Sequence, residues 1–147
     1  MNAKERARQF LREVWRLIKE DTVPSMQEYL NLPEWDKIQL AGMGMCLGDI
    51  YKAFEQSLRC ILENIEGRKI GKNESWHSSL LRLSNEMELI PADIRDTVRG
   101  MLKYRHHLHH GYGVQLNERL IRKYAPEAID AFDAFTKHII NRYLDIL

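Results

Sequence analysis

Apolar residues in this chain of 147 residues recur every three or four positions almost everywhere, and no stretch alternates polar and apolar side chains over the length of a strand. This spacing gathers the apolar residues on one side of a helix, so the pattern predicts helices and not sheet. The predicted helices are Asn2–Glu20, a short helix reaching Leu30, Glu34–Glu66, Trp76–Glu88, a helix opened by Pro91 that runs to His110, the moderately helical Val114–Tyr124, and a last helix that starts at Pro126. We expect an all-α bundle of about five helices.

Prolines and capping residues mark the predicted helix boundaries. Thr22–Pro24 is expected to end the first helix, and Ser25 with Glu28 matches a capping box for the short helix after it. Pro33 fits the first position of the long helix that follows, because the missing N–H of proline costs nothing there.

Length and composition predict one soluble domain. No internal repeat or linker is visible, so residues 1–147 are expected to form a single domain. The net charge is +1, so a nucleic-acid site would have to be a local basic patch. Cys46 and Cys60 lie in apolar helical stretches and are expected to be free thiols. We find no apolar signal core and no run of ~20 apolar residues, so we expect a cytoplasmic protein without a membrane span.

Histidine and arginine are concentrated in one short stretch, YRHHLHHGYG at Tyr104–Gly113. Arg105 is followed within five positions by four of the six histidines: His106, His107, His109 and His110. Imidazole exchanges a proton near neutral pH, and guanidinium stays charged and holds phosphate in a fork. This combination is typical of sites that hold or cut a phosphodiester.

The helix that leads into the cluster has two distinct faces at about 100° per residue. The apolar face carries Ile94, Val98, Met101, Leu102 and Leu108. The other face is basic and ends in imidazole; it carries Arg95, Arg99, Lys103, His106 and His110. A solvated charged face is the ordinary reading of such a stripe. The scarcity of acids here favours a surface that binds a polyanion.

Arg105 falls on the apolar face of this helix, where a charge needs a partner or a function. Five positions separate it from His110, about 140° on a straight helix, so the two side chains do not converge on one face. They could converge if the helix breaks before Gly111, or if two copies of the helix pack together. The second option predicts a dimer that packs through the Ile94–Leu108 face.

A metal site is the rival interpretation of the clustered histidines. His106 and His110 have the i, i+4 spacing of a zinc-binding pair. A zinc site normally needs three or four protein ligands, His77 and His138 are distant in sequence, and Arg105 would repel a cation. We therefore expect no metal and no other cofactor.

Two segments of the chain resemble a known family. Arg105, His110 and Tyr112 reproduce the R-x4-H-x-Y motif of HepT-type toxins in the HEPN (higher eukaryote and prokaryote nucleotide-binding) superfamily. Trp76-His77 followed by Leu80-Leu81 is similar to the W-H-x-x-L-L segment of HepT-like domains. The likeness covers roughly Leu47 to Tyr143, and residues 1–39 lie outside it.

The resemblance implies a dimeric helical bundle that acts as a metal-independent endoribonuclease and as the toxin of a toxin–antitoxin system. It implies catalysis by Arg105 and His110 of both subunits, and a partner, an MntA-type nucleotidyltransferase antitoxin, that adds AMP to Tyr112. His106, Lys103, Arg99 and Arg95 would support RNA binding.

Other outcomes stay open at this point. Some relatives are non-catalytic modules that bind substrate or nucleotide for a nucleotidyltransferase, and a purely structural helical protein is the third possibility. The chain also has Leu108 and His109 where the family often has an aromatic residue and an arginine. The roles of His107 and His109, the RNA target and the role of residues 1–39 are not set by the sequence.

Overall fold

The structure is a computed structural model that describes residues 1–71, 76–110 and 117–145, with only the helical backbone described for residues 105–110. The described residues contain helices and no strand, which confirms the all-α prediction. The α-helices are α1 (Ala3–Leu17), α2 (Val23–Leu30), α3 (Lys37–Cys60), α4 (Trp76–Glu86), α5 (Arg95–His110) and α6 (Glu118–Arg142). Two π-helical turns, Ile18–Thr22 and Ile61–Ile65, follow α1 and α3, and a 3-10 turn, Ala92–Ile94, precedes α5.

The first predicted boundary is wrong, because the chain does not leave the helix at Thr22–Pro24. A π-helical turn over Ile18–Thr22 joins α1 directly to α2, and Pro24 lies in the first turn of α2. A π turn inserts one extra residue, which changes the path of the chain without ending the helix. Ser25 is therefore an internal residue of α2 and does not cap it.

The long central helix also begins later than the sequence predicts. Its N-cap is Asp36, so Pro33 lies before the helix and not at its first position. An Asp36 carboxylate oxygen accepts from the Gln39 backbone N–H at 2.8 Å, and the Gln39 side-chain oxygen accepts from the Asp36 N–H at 2.9 Å. These reciprocal bonds satisfy two donors that the first turn of a helix leaves unpaired. After the π turn, Gly67 adopts a φ of +67°, a conformation that favours glycine and that starts the predicted loop.

Helices α3 and α6 form the centre of the bundle, where their aromatic residues meet. The Phe54 ring stacks on Phe135 at 5.0 Å between centroids and meets Phe132 edge-on at 5.3 Å. Helix α6 continues through Pro126, so the prediction that Pro126 starts the last helix is wrong. Pro126 is exposed, so water can bind the carbonyl that its missing N–H leaves free.

Residues before Gly42 pack into the same core as the rest of the chain. Leu11 and Met26 are fully buried. The Trp15 indole N–H donates to the Ser57 hydroxyl at 3.0 Å, and its ring meets Phe135 edge-on. Leucine, methionine and tryptophan buried in this way each contribute on the order of 2 kcal/mol or more to folding.

The C-terminal part of α2 is tied to α6 by one arginine. The Arg122 guanidinium donates to the carbonyl oxygens of Leu30 and Leu32 and lies 4.0 Å from the centre of the Trp35 ring. It also pairs with Glu118 at 3.1 Å. Backbone carbonyls past a helix end need such donors, so this contact closes one end of the bundle.

The contacts at the ends of the helices set their relative directions. The Trp35 backbone N–H donates to Glu118 near the starts of α3 and α6, and the Tyr143 hydroxyl donates to Glu66 at 2.5 Å near their ends. These two helices therefore run parallel. Helix α5 runs the opposite way, because Tyr104 near its end contacts Tyr124 near the start of α6. No helix in the described part of the chain is long and apolar enough to span a membrane.

Candidate functional site

The apolar face of α5 packs against the rest of the chain. Val98 is fully buried and Met101 is 3% exposed, while Ile94 and Leu102 are half-buried. This confirms the predicted face for these four residues. This face packs against α3 and α6 of the same chain. Val98 and Met101 are therefore already buried, and the expectation that a second copy packs on the Ile94–Leu108 face is wrong for these two residues.

Tyr104 anchors the turn of α5 from which the motif starts. Its ring lies 6.3 Å from Tyr51 of α3, edge-on, and 5.1 Å from Tyr124 of α6. Burial raises the pKa of the Tyr104 phenol, with a smaller contribution from Tyr124. Aromatic pairs of this kind contribute about 0.5–1.5 kcal/mol each beyond the area they bury. The residue directly before Arg105 is therefore held by both central helices.

The predicted basic face divides into two parts. Arg99 and Lys103 are exposed, and Arg99 forms an ion pair with Asp96 at 2.8 Å in which the side chains are 69% and 92% exposed. Such an exposed pair is weak, so Arg99 can exchange Asp96 for another anion. Arg95 is half-buried, and its Nε–H donates to the Ile90 carbonyl at 3.4 Å. Arg95 therefore contacts the chain just before α5 and is only partly available to a ligand. Arg99 and Lys103 form the solvent-facing basic surface of the helix.

The helical backbone of α5 continues without a break to His110. This excludes the possibility that a helix break before Gly111 brings Arg105 and His110 together. Arg105 occupies the helical position four residues after Met101 and is followed by His106. Only the backbone is described for residues 105–110. Tyr112 lies outside the described residues.

The other signature segment, at the start of α4, lies against α3. The Nδ1 atom of His77 lies 3.3 Å from a carboxylate oxygen of Glu55, whose side chain is 4% exposed. One turn later on α3, the Arg59 guanidinium lies 5.3 Å from the centre of the Trp76 ring. A buried carboxylate is costly unless a partner meets it, so the His77 contact ties α4 to α3.

Two buried residues of α3 contact these segments, and the sequence pattern does not identify either of them as a site residue. Tyr51 and Glu55 are buried and lie one helical turn apart; Tyr51 contacts Tyr104, and Glu55 contacts His77. Burial raises the pKa of Tyr51 well above its ordinary range, with smaller contributions from Tyr104 and Tyr124. The sequence contains one signal for Glu55, because this carboxylate lies within an otherwise apolar stripe of a long helix, where a charge needs a partner.

The histidines outside the cluster have other partners. His77 contacts Glu55, and the Nε2–H of His138 donates to the Glu88 carbonyl at 2.8 Å. Within the described residues, no group of three or more histidine, cysteine, aspartate or glutamate side chains could hold a metal ion. Cys46 and Cys60 are free thiols, as predicted, with Cys60 buried and Cys46 half-buried.

Comparison with known proteins places the chain in a family. The model of a family described as "HepT-like protein" matches residues 42–147, which is more than half of the chain and includes both signature segments. Neither the curated proteins nor the solved structures contain a match. The chain therefore belongs to the HepT-like family of the HEPN superfamily.

Proposed function

We propose that this protein is the toxin of a toxin–antitoxin system and a metal-independent endoribonuclease. The observation that carries the proposal is the R-x4-H motif on the last turns of α5, directly after the Tyr104 anchor, in a chain of the HepT-like family. An RNA target places the proposed activity in the cytoplasm.

The proposed chemistry uses the 2′-hydroxyl of RNA as an internal nucleophile. The 2′-oxygen attacks the adjacent phosphorus and gives its proton to a neutral His110 imidazole. The bond to the 5′-oxygen breaks, and this oxygen takes a proton from a protonated imidazole, leaving a 2′,3′-cyclic phosphate and a 5′-hydroxyl. Arg105 stabilises the negative charge that builds on the phosphate oxygens. No step needs a metal ion.

A site shared by two copies supplies both imidazoles. Since α5 is unbroken to His110, Arg105 and His110 of one chain occupy positions about 140° apart around the helix axis. Two α5 ends that approach each other can place Arg105 of one copy near His110 of the other. We therefore propose a homodimer with the motif at its interface.

The proposed dimer surface is the outer side of the first half of α3. Ile38 and Met45 lie seven residues apart on that side and are 83% and 66% exposed. Helix α5 runs antiparallel to α3 and α6, so its last turns approach this same end of the bundle. Exposed apolar side chains beside a site that needs two copies favour a second copy as the partner.

Arg99 and Lys103 are proposed to guide RNA toward the motif, with His106 at the end of the same face and a smaller contribution from Arg95. Both side chains are exposed, with Arg99 six residues and Lys103 two residues before Arg105. Their contribution is electrostatic and should weaken with salt.

We further propose that an MntA-type nucleotidyltransferase acts as the antitoxin by adding AMP to Tyr112. An adenylate two residues after His110 would add negative charge where RNA must bind. Tyr112→Phe should keep much of the cleavage activity and accept no adenylate, as shown by mass spectrometry after treatment with MgATP and the cognate enzyme. An adduct on the Phe variant would place the acceptor elsewhere.

The experiment that tests the cleavage proposal is incubation with single-stranded RNA in excess EDTA. The wild-type protein should cut, and Arg105→Ala and His110→Ala should each abolish cutting while the helical circular dichroism signal is unchanged. Arg82→Ala, an exposed arginine on α4, serves as the control. Cutting that disappears in EDTA and returns with zinc would support the histidine-metal interpretation. Binding of RNA without cutting would support a non-catalytic module.

A further inference from the structure

Helix α1 carries an excess of positive charge that the rest of the chain lacks. Its residues Ala3–Leu17 include five cations, Lys4, Arg6, Arg8, Arg12 and Arg16, and two acids, Glu5 and Glu13, for a net charge of +3. Since the whole chain has a net charge of +1, the remainder carries −2. The helix also precedes residue 42, where the family match begins, so its charge is a property of this chain and not of the matched region.

Four of these cations form a row along one side of α1. Lys4, Arg8, Arg12 and Arg16 follow one another at every fourth position, and all four are exposed. Each step turns the helix by about 40° and advances about 6 Å, so the row extends over about 18 Å within a sector of about 120°. We call these four residues the α1 row. An extended strand of phosphates could follow it along most of the length of the helix.

The nearby acids Glu5 and Glu20 do not neutralise Lys4, Arg8 and Arg16 of the α1 row. Glu5 accepts from the Asn2 backbone N–H at 3.1 Å as part of the capping box, so it is committed to the helix start. Arg16 and Glu20 approach only to 3.9 Å, and their side chains are 60% and 69% exposed, which makes the pair weak. The ion pairs in the described part of the chain do not include Lys4 or Arg8.

Most of the apolar side of α1 is buried inside the protein, with only Phe10 and Leu17 exposed, which favours an anionic partner in water over a membrane surface. Ala7, Leu11 and Trp15 are buried, and Trp15 is fixed by its hydrogen bond to Ser57. A helix that inserts into a membrane surface needs its apolar side free for the lipid. The α1 row can therefore act through charge alone, which suits a strand of phosphates in water.

We propose that the α1 row binds the phosphate backbone of single-stranded RNA, as a second contact surface apart from the motif. The choice of RNA rests on the proposed function. Helix α1 packs against α3 and the π turn after it, whereas α5 packs against α3 and α6. RNA held on the α1 row would lengthen the bound segment and so raise affinity without taking part in the chemistry.

The test measures RNA binding in the His110→Ala background, so that the RNA stays intact. The triple variant Lys4→Gln, Arg8→Gln, Arg16→Gln should bind a single-stranded oligonucleotide more weakly at low salt. Each phosphate contact contributes about 0.7 to the slope of log K against log salt, so the slope should become shallower by about 2. The matched control neutralises three exposed cations elsewhere, Lys37→Gln, Lys52→Gln and Arg82→Gln, and should change the slope by less than half as much.

The possible outcomes separate this proposal from the proposed function. Equal slopes for the triple variant and its control, with both proteins folded, would overturn the α1 row whether or not the wild-type protein cuts RNA. A wild-type protein that does not cut, but whose RNA binding loses slope in the triple variant, would overturn the ribonuclease and leave the α1 row standing. Binding to vesicles with anionic lipid, but not to RNA, would overturn RNA as the partner.

Discussion

Removing the ring of Tyr104 should loosen the end of α5 and with it the motif. The ring contacts Tyr51 and Tyr124, at 6.3 and 5.1 Å between centroids. Two aromatic contacts are worth about 1–3 kcal/mol together. Truncating a fully buried aromatic residue to alanine costs about 3–5 kcal/mol, and Tyr104 is half-buried. We therefore expect Tyr104→Ala to lower the free energy of unfolding by about 2–3 kcal/mol and the Tm by roughly 5–10 °C.

The assay combines urea unfolding with RNA cleavage at a temperature where every variant is folded. Tyr104→Ala should lose most of its cleavage, because the turn that carries Arg105 loses its anchor. Tyr104→Phe keeps both ring contacts and should stay close to the wild type in both measurements. Tyr29→Ala removes another half-buried tyrosine, which makes no ring contact with the described residues, and should retain cleavage. If Tyr104→Ala cuts RNA as fast as Tyr29→Ala, the anchor does not position the motif and the reasoning is wrong.

Three further predictions concern stability and assembly. Burial raises the pKa of Tyr51, so above pH ~10 the folded state keeps the phenol proton while the unfolded state loses it. The free energy of unfolding should therefore fall as the pH rises above this value. In urea titrations, Tyr51→Phe should remove up to about 1.4 kcal/mol per pH unit of that fall. Arg122→Ala removes two carbonyl contacts, an ion pair and the Trp35 contact, and should cost about 2–3 kcal/mol, whereas the exposed neighbour Arg119→Ala should cost less than about 0.5 kcal/mol. Met45→Glu should convert the proposed dimer to monomer in sedimentation experiments, whereas Leu144→Glu, at another exposed apolar residue, should not; a dimer that survives Met45→Glu would refute the α3 surface.

Helical periodicity predicts most of this fold because burial follows it closely. Leu47, Tyr51, Phe54 and Leu58 recur every three or four positions along α3, and all four are fully buried. The motif helix likewise packs through four of its predicted apolar residues, Ile94, Val98, Met101 and Leu102.

The boundaries that failed involve prolines. Pro24 follows a π turn and Pro126 lies on an exposed side of α6, so neither residue ends its helix. Buried residues on both sides of Pro126, among them Ala125 and Ala128, offset the cost of a missing hydrogen bond. Local propensity does not include this tertiary contribution, and the sequence pattern therefore stops the helices too early.

The candidate site is predicted less completely because its contacts lie between distant parts of the chain. The motif residues are visible as a pattern, and so is the basic face at Arg99 and Lys103. The contact of Tyr51 with Tyr104 depends on how α3 packs against α5, and the contact of Glu55 with His77 depends on how α3 packs against α4. No spacing within one helix encodes these pairs.

The measurement that tests the ribonuclease most directly uses a pair of oligonucleotides in excess EDTA. The cleavage site is first mapped on an all-ribose strand, and the second strand then carries a single 2′-deoxynucleotide on the 5′ side of that site. We expect the wild-type protein to cut the first strand to a 2′,3′-cyclic phosphate and a 5′-hydroxyl, and to leave the same position intact in the second. Cleavage at the deoxy position, or no cleavage of the all-ribose strand, would contradict the proposed ribonuclease.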